Sequence, residues 1–133
     1  MESLFIRGGR KLSGDIDIVS AKNALLPILA GCVVSDKKIV IHKISEFSDV
    51  VNMIKILENL GVKTTKIGDD LFVDASSIEN YVIREEFTNK VRSSIFLLGP
   101  LLTRFRRAKV AYPGGCNIGN RPIDQHIDAR DVW

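Results

Sequence analysis

A pattern of predicted elements recurs along the chain at a spacing of about 70 residues. At that spacing Lys22 aligns with Arg92, and the apolar triplet at residues 39–41 aligns with residues 109–111. A repeat of this length constrains the fold, because each unit must bury its apolar face against a neighbouring unit. Two unrelated α/β units of similar appearance are the alternative.

The first unit carries signals for two helices, and proline and glycine mark where they start and stop. Ser20 is predicted to cap an apolar helix over residues 21–34, with Pro27 near its second turn. Ser48 is predicted to cap an amphipathic helix that ends at Leu60, before Gly61. Val51, Ile54, Leu57 and Leu60 form its predicted apolar face. The predicted strands are residues 4–7 and 15–19 before the unit, residues 38–42, and a hairpin of residues 62–67 and 71–74.

The second unit begins with one or two predicted helices over residues 85–103 and a predicted strand over residues 108–112. Arg121 and Pro122 are predicted to open a further helix, because proline is favoured at the first helical position. Aligning Asp49 with Asp124 needs a shift of about 75 residues, so the second unit has about five extra residues before this helix. They form the loop PGGC, and a long loop on a repeated scaffold is a common place for functional groups.

The two cysteines occupy different kinds of sequence. Cys32 lies in an apolar helical run and is predicted to be a core residue. Cys116 lies among Gly114, Gly115 and Gly119, where the backbone is most permissive. One interpretation is a loop cysteine half-buried under a turn. The other is a reactive thiol, which nearby Arg121 and backbone N–H groups would shift towards thiolate.

Three predicted helix starts carry basic residues, at Lys22–Asn23, at Arg92 and at Arg121. The N-terminus of a helix presents unpaired N–H groups and partial positive charge, so a cation there is locally unfavourable. A shared anionic ligand, such as a phosphate or a carboxylate, would explain all three. The alternative is that they are solvated basic residues at ordinary helix ends.

Other classes of function have little support. The net charge of +3 is too small to indicate nucleic acid, and the two histidines show no metal-site spacing. No apolar run is long enough to span a bilayer, and a secretory signal is not evident, which favours a reduced, cytosolic compartment. The remaining basic cluster lacks interleaved aromatic residues and is predicted to be a solvated helix end; it comprises Arg104, Arg106, Arg107 and Lys109.

Three stretches resemble the enolpyruvyl transferase family: SAKNALLPIL, VRSSIFLLGPLLTRF and YPGGCNIGNRPIDQHI. The resemblance runs from the N-terminus to about Ile127, and the PGGC loop followed by IGxRPxDxH is its most specific motif. It implies an α/β fold built from βαβαββ repeats, the inside-out α/β barrel of this family, here truncated. Residues 1–21 would be strands of the second domain, and residues 22–133 an incomplete first domain. That first domain would hold one full repeat over residues 22–84 and a second repeat begun at about residue 85.

The resemblance implies transfer of the enolpyruvyl group of phosphoenolpyruvate to the 3-hydroxyl of UDP-N-acetylglucosamine, with release of phosphate. This is a step of cytoplasmic peptidoglycan synthesis, and it implies no cofactor, no metal and no nucleic-acid or membrane partner. Cys116 matches the general acid, which can also form a covalent adduct with phosphoenolpyruvate. Lys22 and Asn23 match the phosphoenolpyruvate site. The residues that match contacts to UDP-N-acetylglucosamine are Arg92, Arg121, Pro122, Ile123, Asp124 and Gln125.

The sequence departs from the family after Ile127, where DARDVW replaces the expected continuation. Family members are roughly three times longer, and the aspartate that serves as their base has no counterpart here. We therefore expect this chain alone to be inactive and to self-associate through exposed faces of a truncated fold. A nucleotide-sugar-binding remnant without catalysis, or a structural remnant without a ligand, are the alternatives. The related enzyme that acts on shikimate phosphate is not expected to carry the PGGC loop.

Overall fold

The computed structural model describes residues 3–11, 13–112 and 124. The first unit contains helix α1, a first 3-10 helix, strand β1, helix α2 and the hairpin strands β2 and β3. Their bounds are Lys22–Gly31, Cys32–Val34, Ile39–Ile41, Ser48–Asn59, Lys63–Ile67 and Asp70–Asp74. Strand β4 closes the first unit, and the second unit contains helix α3, a second 3-10 helix, helix α4 and strand β5. Their bounds are Val82–Ile83, Glu85–Thr88, Arg92–Leu97, Leu98–Phe105 and Lys109–Val110.

The strands form two small sheets. In the first unit β3 lies between β1 and β2, antiparallel to both, with Val73 opposite Ile39 on one side and Thr64 on the other. The predicted hairpin is confirmed, and Gly68 in its turn has the positive φ (+59°) that glycine accommodates. β4, at the end of the first unit, pairs in parallel with β5 of the second, with Val82 opposite Lys109.

The two helices predicted in the first unit are present, but neither serine caps its helix; the helix predicted to open at Arg121 lies outside the described residues except at Asp124. α1 begins after Ala21, without a side-chain cap, because the Ser20 hydroxyl instead donates to the carbonyl of Lys43 at 2.7 Å. α2 begins at Ser48 itself and is likewise uncapped by a side chain. Its buried face is Val50, Met53, Ile56 and Leu57, whereas Val51 and Ile54 of the predicted face are only partly buried. Gly61 follows the helix in a left-handed conformation (φ +99°), as the sequence predicts.

The two units share one hydrophobic core. α1 packs against α2 and the second 3-10 helix, and α4 packs against the first 3-10 helix. Leu29, Met53, Leu97 and Leu101 are fully buried, and Cys32 is buried with them, which confirms it as a core residue. The helices of each unit therefore bury their apolar faces against helices of the other unit, as expected for neighbouring repeats.

Arg104 corrects the prediction of a solvated basic cluster. Its guanidinium donates to the carbonyls of Val33 and Ser35, at 2.9 and 3.0 Å, so it ties α4 to the end of the first 3-10 helix. The guanidinium of Arg107 lies 4.4 Å from the ring centroid of Tyr81, a cation–π contact.

The strands predicted at residues 4–7 and 15–19 are not formed. These residues have no regular secondary structure, and Phe5 and Ile18 are 93% and 94% exposed. A short strand needs a partner to satisfy its backbone, and no part of the described chain pairs with these residues. That residues 1–21 belong to a second domain stays a prediction.

The helical segment predicted over residues 85–103 is broken into α3, the second 3-10 helix and α4. In the described part of the chain, no helix combines the length and apolar character needed to cross a bilayer.

Candidate functional site

A cavity of about 350 Å³ lies where the first residues of three helices meet, and we call it the Lys22 cavity. Lys22 and Asn23 open α1, Asp49 lies in the first turn of α2, and Arg92 opens the second 3-10 helix. The remaining lining residues are Leu26, Lys90, Val91, Ser93, Ile95 and Phe96. The structure thus brings together Lys22, Asn23 and Arg92, which the sequence predicts as parts of one anion site.

The charged groups that line the Lys22 cavity are mostly cationic, within a largely apolar wall. Lys22, Lys90 and Arg92 supply three positive groups, and Asp49 supplies the one carboxylate among the described lining residues. The start of α1 adds unpaired backbone N–H groups and the positive end of a helix dipole. An anionic ligand, with phosphate or carboxylate groups, suits this combination.

Lys22 and Asp49 form an ion pair at the rim of the cavity. The Lys22 ammonium donates to Asp49 Oδ2 at 2.7 Å, and the two side chains are 45% and 32% exposed. Both groups are therefore still in contact with solvent, and a ligand that enters the cavity meets a lysine already held in one place.

Ser93 adds a polar group whose bonding is incomplete. It follows Arg92 and lines the same cavity, and its hydroxyl is buried with no hydrogen-bond partner among the residues that the structure describes. A buried hydroxyl without a partner is available to donate to a ligand oxygen.

A larger cavity of about 1030 Å³ lies between α1, the second 3-10 helix and α4. Its walls are mostly apolar, with Pro27, Phe96, Pro100 and Leu102 among them. It lacks the cluster of predicted site residues that lines the smaller cavity.

Most of the predicted second-unit site lies outside the described residues. This applies to Cys116, Arg121, Pro122, Ile123 and Gln125, whose roles stay predictions. Asp124 is described and is exposed.

Cys32 has the properties of a core thiol. Burial raises the pKa of its thiol, although a backbone hydrogen bond acts in the opposite direction. Its Sγ donates to the carbonyl of Ile28 at 3.3 Å. Among the described residues, no cluster of His, Cys, Asp or Glu side chains could hold a metal ion.

Three residues that line the cavity were not predicted from the sequence: Lys90, Ser93 and Asp49, the last of which pairs with Lys22. The signal for Asp49 was an acidic residue in the first turn of an amphipathic helix. Lys90 and Ser93 flank Arg92 closely in sequence, so the prediction of Arg92 could have been extended to its neighbours.

Comparisons with known proteins all give enolpyruvyl (carboxyvinyl) transferases. The family model for EPSP synthase (3-phosphoshikimate 1-carboxyvinyltransferase) matches residues 6–130. UDP-N-acetylglucosamine 1-carboxyvinyltransferase of Psychrobacter sp. (strain PRwf-1) is 41% identical over 129 residues, which are 97% of this chain and 30% of the relative. The second such enzyme of Caldanaerobacter subterraneus subsp. tengcongensis is 43% identical over 122 residues, 92% of this chain and 29% of the relative. The chain therefore spans about 30% of the length of these relatives.

A solved structure supports the same fold. The enolpyruvyl transferase NikO from Streptomyces tendae superposes with a TM-score of 0.64 over 74% of this chain and 23% of its own. Its sequence is 21% identical, so this likeness concerns the fold alone. The α/β fold predicted from the repeat is confirmed as part of the enolpyruvyl transferase fold.

Proposed function

The chain belongs to the EPSP synthase family of enolpyruvyl transferases, and from that membership we propose that it takes part in transfer of an enolpyruvyl group to UDP-N-acetylglucosamine. The donor is phosphoenolpyruvate, the acceptor is the 3-hydroxyl of the sugar, and phosphate is released. The observation that carries the proposal is the match of nearly the whole chain to relatives named for this reaction. We place the reaction in cytoplasmic peptidoglycan synthesis.

The Lys22 cavity supports a site for phosphoenolpyruvate. Its cations face a ligand that carries both a phosphate and a carboxylate, and Lys22 and Asn23 stand at the start of α1. In this proposal the Lys22 ammonium neutralises charge that develops on the substrate as the phosphate leaves. Arg92, which lines the same cavity, contacts the nucleotide sugar in this proposal.

Cys116 is the proposed general acid. The sugar 3-hydroxyl gives its proton to a general base, and its oxygen forms a bond to the central carbon of phosphoenolpyruvate. The electron pair of the C=C bond takes the Cys116 thiol proton at the methylene carbon, which becomes a methyl group. In the tetrahedral intermediate the Cys116 thiolate takes a proton from this methyl group, and the electron pair of that C–H bond re-forms the C=C bond. The bond from the central carbon to the phosphate oxygen breaks, and the phosphate takes the proton held by the base. The products are the enolpyruvyl ether of the sugar and free phosphate.

The nucleotide diphosphate is assigned to the segment that follows the cysteine loop. Arg121 would bind the diphosphate through charge-assisted hydrogen bonds, and Asp124 would accept a hydrogen bond from the uracil edge. Pro122, Ile123 and Gln125 complete this proposed segment. Asp124 is exposed, as a group that meets a ligand from solvent must be.

The acceptor distinguishes this proposal from the reaction for which the family model is named. We expect the chain completed to the length of its relatives, which we call the intact protein, to release phosphate from phosphoenolpyruvate with UDP-N-acetylglucosamine and not with 3-phosphoshikimate. Cys116→Ala should abolish release, whereas Cys32→Ala should retain it because that thiol is buried away from the Lys22 cavity. Release with 3-phosphoshikimate alone, or binding of the nucleotide sugar without any release, would contradict the proposal.

No nucleic-acid partner is proposed. Arg104 is engaged with two backbone carbonyls and Arg107 with an aromatic ring, so the basic cluster is partly committed to contacts within the protein.

Self-association of this chain in isolation is proposed from its exposed apolar side chains. Phe5 and Ile18 are almost fully exposed, and Leu4, Ile6 and Ile16 are exposed beside them. Sedimentation at increasing concentration should show association that Phe5→Ser with Ile18→Ser reduces. A monomer at all concentrations would contradict it.

A further inference from the structure

Asp49 is out of place in a cavity whose ligand is anionic. It is the one carboxylate among the described residues that line the Lys22 cavity, and it repels the phosphate and carboxylate groups that the cations attract. A group that opposes binding requires a compensating role. The contact that Asp49 makes, with the Lys22 ammonium at 2.7 Å, indicates what that role is.

Lys22 has reason to need a partner. Its side chain is long and 45% exposed, so without a fixed contact it would sample many rotamers. It also stands at the first residue of α1, where the positive end of the helix dipole pushes an ammonium away. Asp49 stands in the first turn of α2, where the dipole favours a carboxylate. The ion pair therefore joins the starts of two packed helices across the rim of the cavity.

We propose that Asp49 is a positioning residue, which holds the Lys22 ammonium where the anionic group of phosphoenolpyruvate binds. This inference rests on the proposed function. Asp49 acts through Lys22 and does not touch the reacting atoms. The Asp49 carboxylate weakens the binding of phosphoenolpyruvate in its ground state. It contributes to the reaction by fixing the Lys22 ammonium, which stabilises the negative charge that develops on the substrate in the transition state.

A purely structural ion pair has different consequences. Exposed pairs contribute little to stability, so their loss leaves a protein folded and otherwise unchanged. The chain offers a matched control in the pair formed by Lys66 and Glu46, which is also partly exposed and joins a strand to a loop outside the cavity. Substitution of Glu46 removes an ion pair of the same kind without disturbing Lys22.

The test is a double-mutant cycle in the intact protein, with phosphate release as the readout. Asp49→Ala should lower kcat by about 10- to 100-fold, because a misplaced catalytic cation loses its effect on the transition state. The KM for phosphoenolpyruvate should change by less than about threefold, since loss of the carboxylate also removes repulsion. Asp49→Glu should recover part of kcat, and Asp49→Asn repeats the test with a side chain of the same shape. Glu46→Gln should leave both constants unchanged.

The cycle with Lys22→Ala decides whether Asp49 acts through Lys22. In the Lys22→Ala background, Asp49→Ala should have almost no further effect on kcat. Equal effects of Asp49→Ala in both backgrounds, or a kcat that Asp49→Ala leaves unchanged, would overturn the inference.

A second readout separates this inference from the proposed function. If the intact wild-type protein releases no phosphate, the proposed function fails, and labelling of Lys22 by acetic anhydride tests the pair alone. Mass spectrometry should show Lys22 labelled several-fold faster in Asp49→Ala than in the wild type or in Glu46→Gln. Equal labelling of Lys22 in all three proteins would overturn the inference by itself.

Discussion

Two cysteines of the same chemistry occupy opposite situations in this chain. Cys32 is buried in the shared core, where burial raises the pKa of its thiol and so lowers the fraction of reactive thiolate at neutral pH. Cys116 is placed by the sequence in a glycine-rich loop beside Arg121. Cys32 therefore serves as an internal control for the reactivity of the Cys116 thiol.

We expect an epoxide phosphonate to alkylate Cys116 faster than Cys32 in the intact protein. The reason is that thiolate, not thiol, attacks the epoxide, and burial both lowers the thiolate fraction of Cys32 and blocks access to it. Mass spectrometry after limited labelling would identify the modified peptide. Preferential labelling of Cys32 would contradict a reactive thiol at position 116.

Asp70 gives a prediction about acid stability. Its carboxylate accepts hydrogen bonds from His42 Nδ1 at 2.9 Å and from the Lys43 backbone N–H at 3.2 Å. These bonds, that from His42 first, hold the pKa of Asp70 below its ordinary value of 3.8. A group with a lowered pKa stabilises the fold above its ordinary value and stops doing so as the pH falls through the lowered one.

The wild-type protein should therefore be more stable than Asp70→Asn at about pH 5, and the difference should disappear as the pH falls below 3.8. Urea unfolding followed by circular dichroism at a series of pH values would measure it. A difference that is constant across this range would show that Asp70 contributes through something other than its charge.

At the scale of elements, Gly61 shows why α2 ends where it does. The residue has φ of +99°, and a Cβ added there would lie 3.1 Å from the carbonyl oxygen of Ser77. Gly99 lies inside α4, has no positive φ, and would place a Cβ in open space. An alanine side chain would therefore meet backbone strain and a close contact at position 61, and neither at position 99.

Gly61→Ala should lower the free energy of unfolding by about 1–2 kcal/mol, the cost of a left-handed conformation for a residue with a Cβ. Gly99→Ala should raise it by about 0.5–1 kcal/mol, because alanine is favoured over glycine within a helix. Chemical denaturation of both variants would test the pair. Equal effects of the two substitutions would contradict this account of how α2 ends.

The elements that sequence reasoning could predict are those with local signals. The hairpin around Gly68 and the end of α2 at Gly61 depend on residues next to each other in sequence, and both are confirmed. Ser20 failed as a cap because its hydroxyl binds Lys43, which is far away in sequence. The same reason hid the pairing of Lys22 with Asp49, since nothing local to either residue indicates the other. The strands at residues 4–7 and 15–19 failed because a strand pattern does not provide a partner strand.

At the scale of the whole molecule, the two units are joined by packing, by the pairing of β4 with β5 and by the side chain of Arg104. Arg104 of the second unit donates two hydrogen bonds to carbonyls at the end of the first 3-10 helix. These carbonyls belong to the last turn of a helical segment and would otherwise depend on water. Arg106, two residues later, is exposed and ends α4 with φ of +56°.

Arg104→Ala should lower the free energy of unfolding by about 1.5 kcal/mol, the low end for hydrogen bonds to a charged group, because water reaches these partly buried carbonyls. Arg106→Ala is the matched control and should change it by less than about 0.5 kcal/mol. Urea titrations of the two variants in parallel would measure both effects. A loss of stability in Arg106→Ala as large as in Arg104→Ala would show that charge near α4, and not the link between units, is responsible.

The parallel pairing of β4 and β5 anchors the chain just before the loop that carries Cys116. Two backbone hydrogen bonds flank this pairing, from Lys109 to Tyr81 and from Ala111 to Ile83, and the chain then leads to Pro113 and the cysteine loop. The ladder is only two residue pairs long, although Ile83 is buried in the shared core and Val110 packs against it. The rate of deuterium exchange at the Lys109 and Ala111 amides would measure how often the strand before the cysteine loop separates from β4. Exchange at these two amides faster than at the amides of α2 would show that the strand before the cysteine loop opens separately from the core.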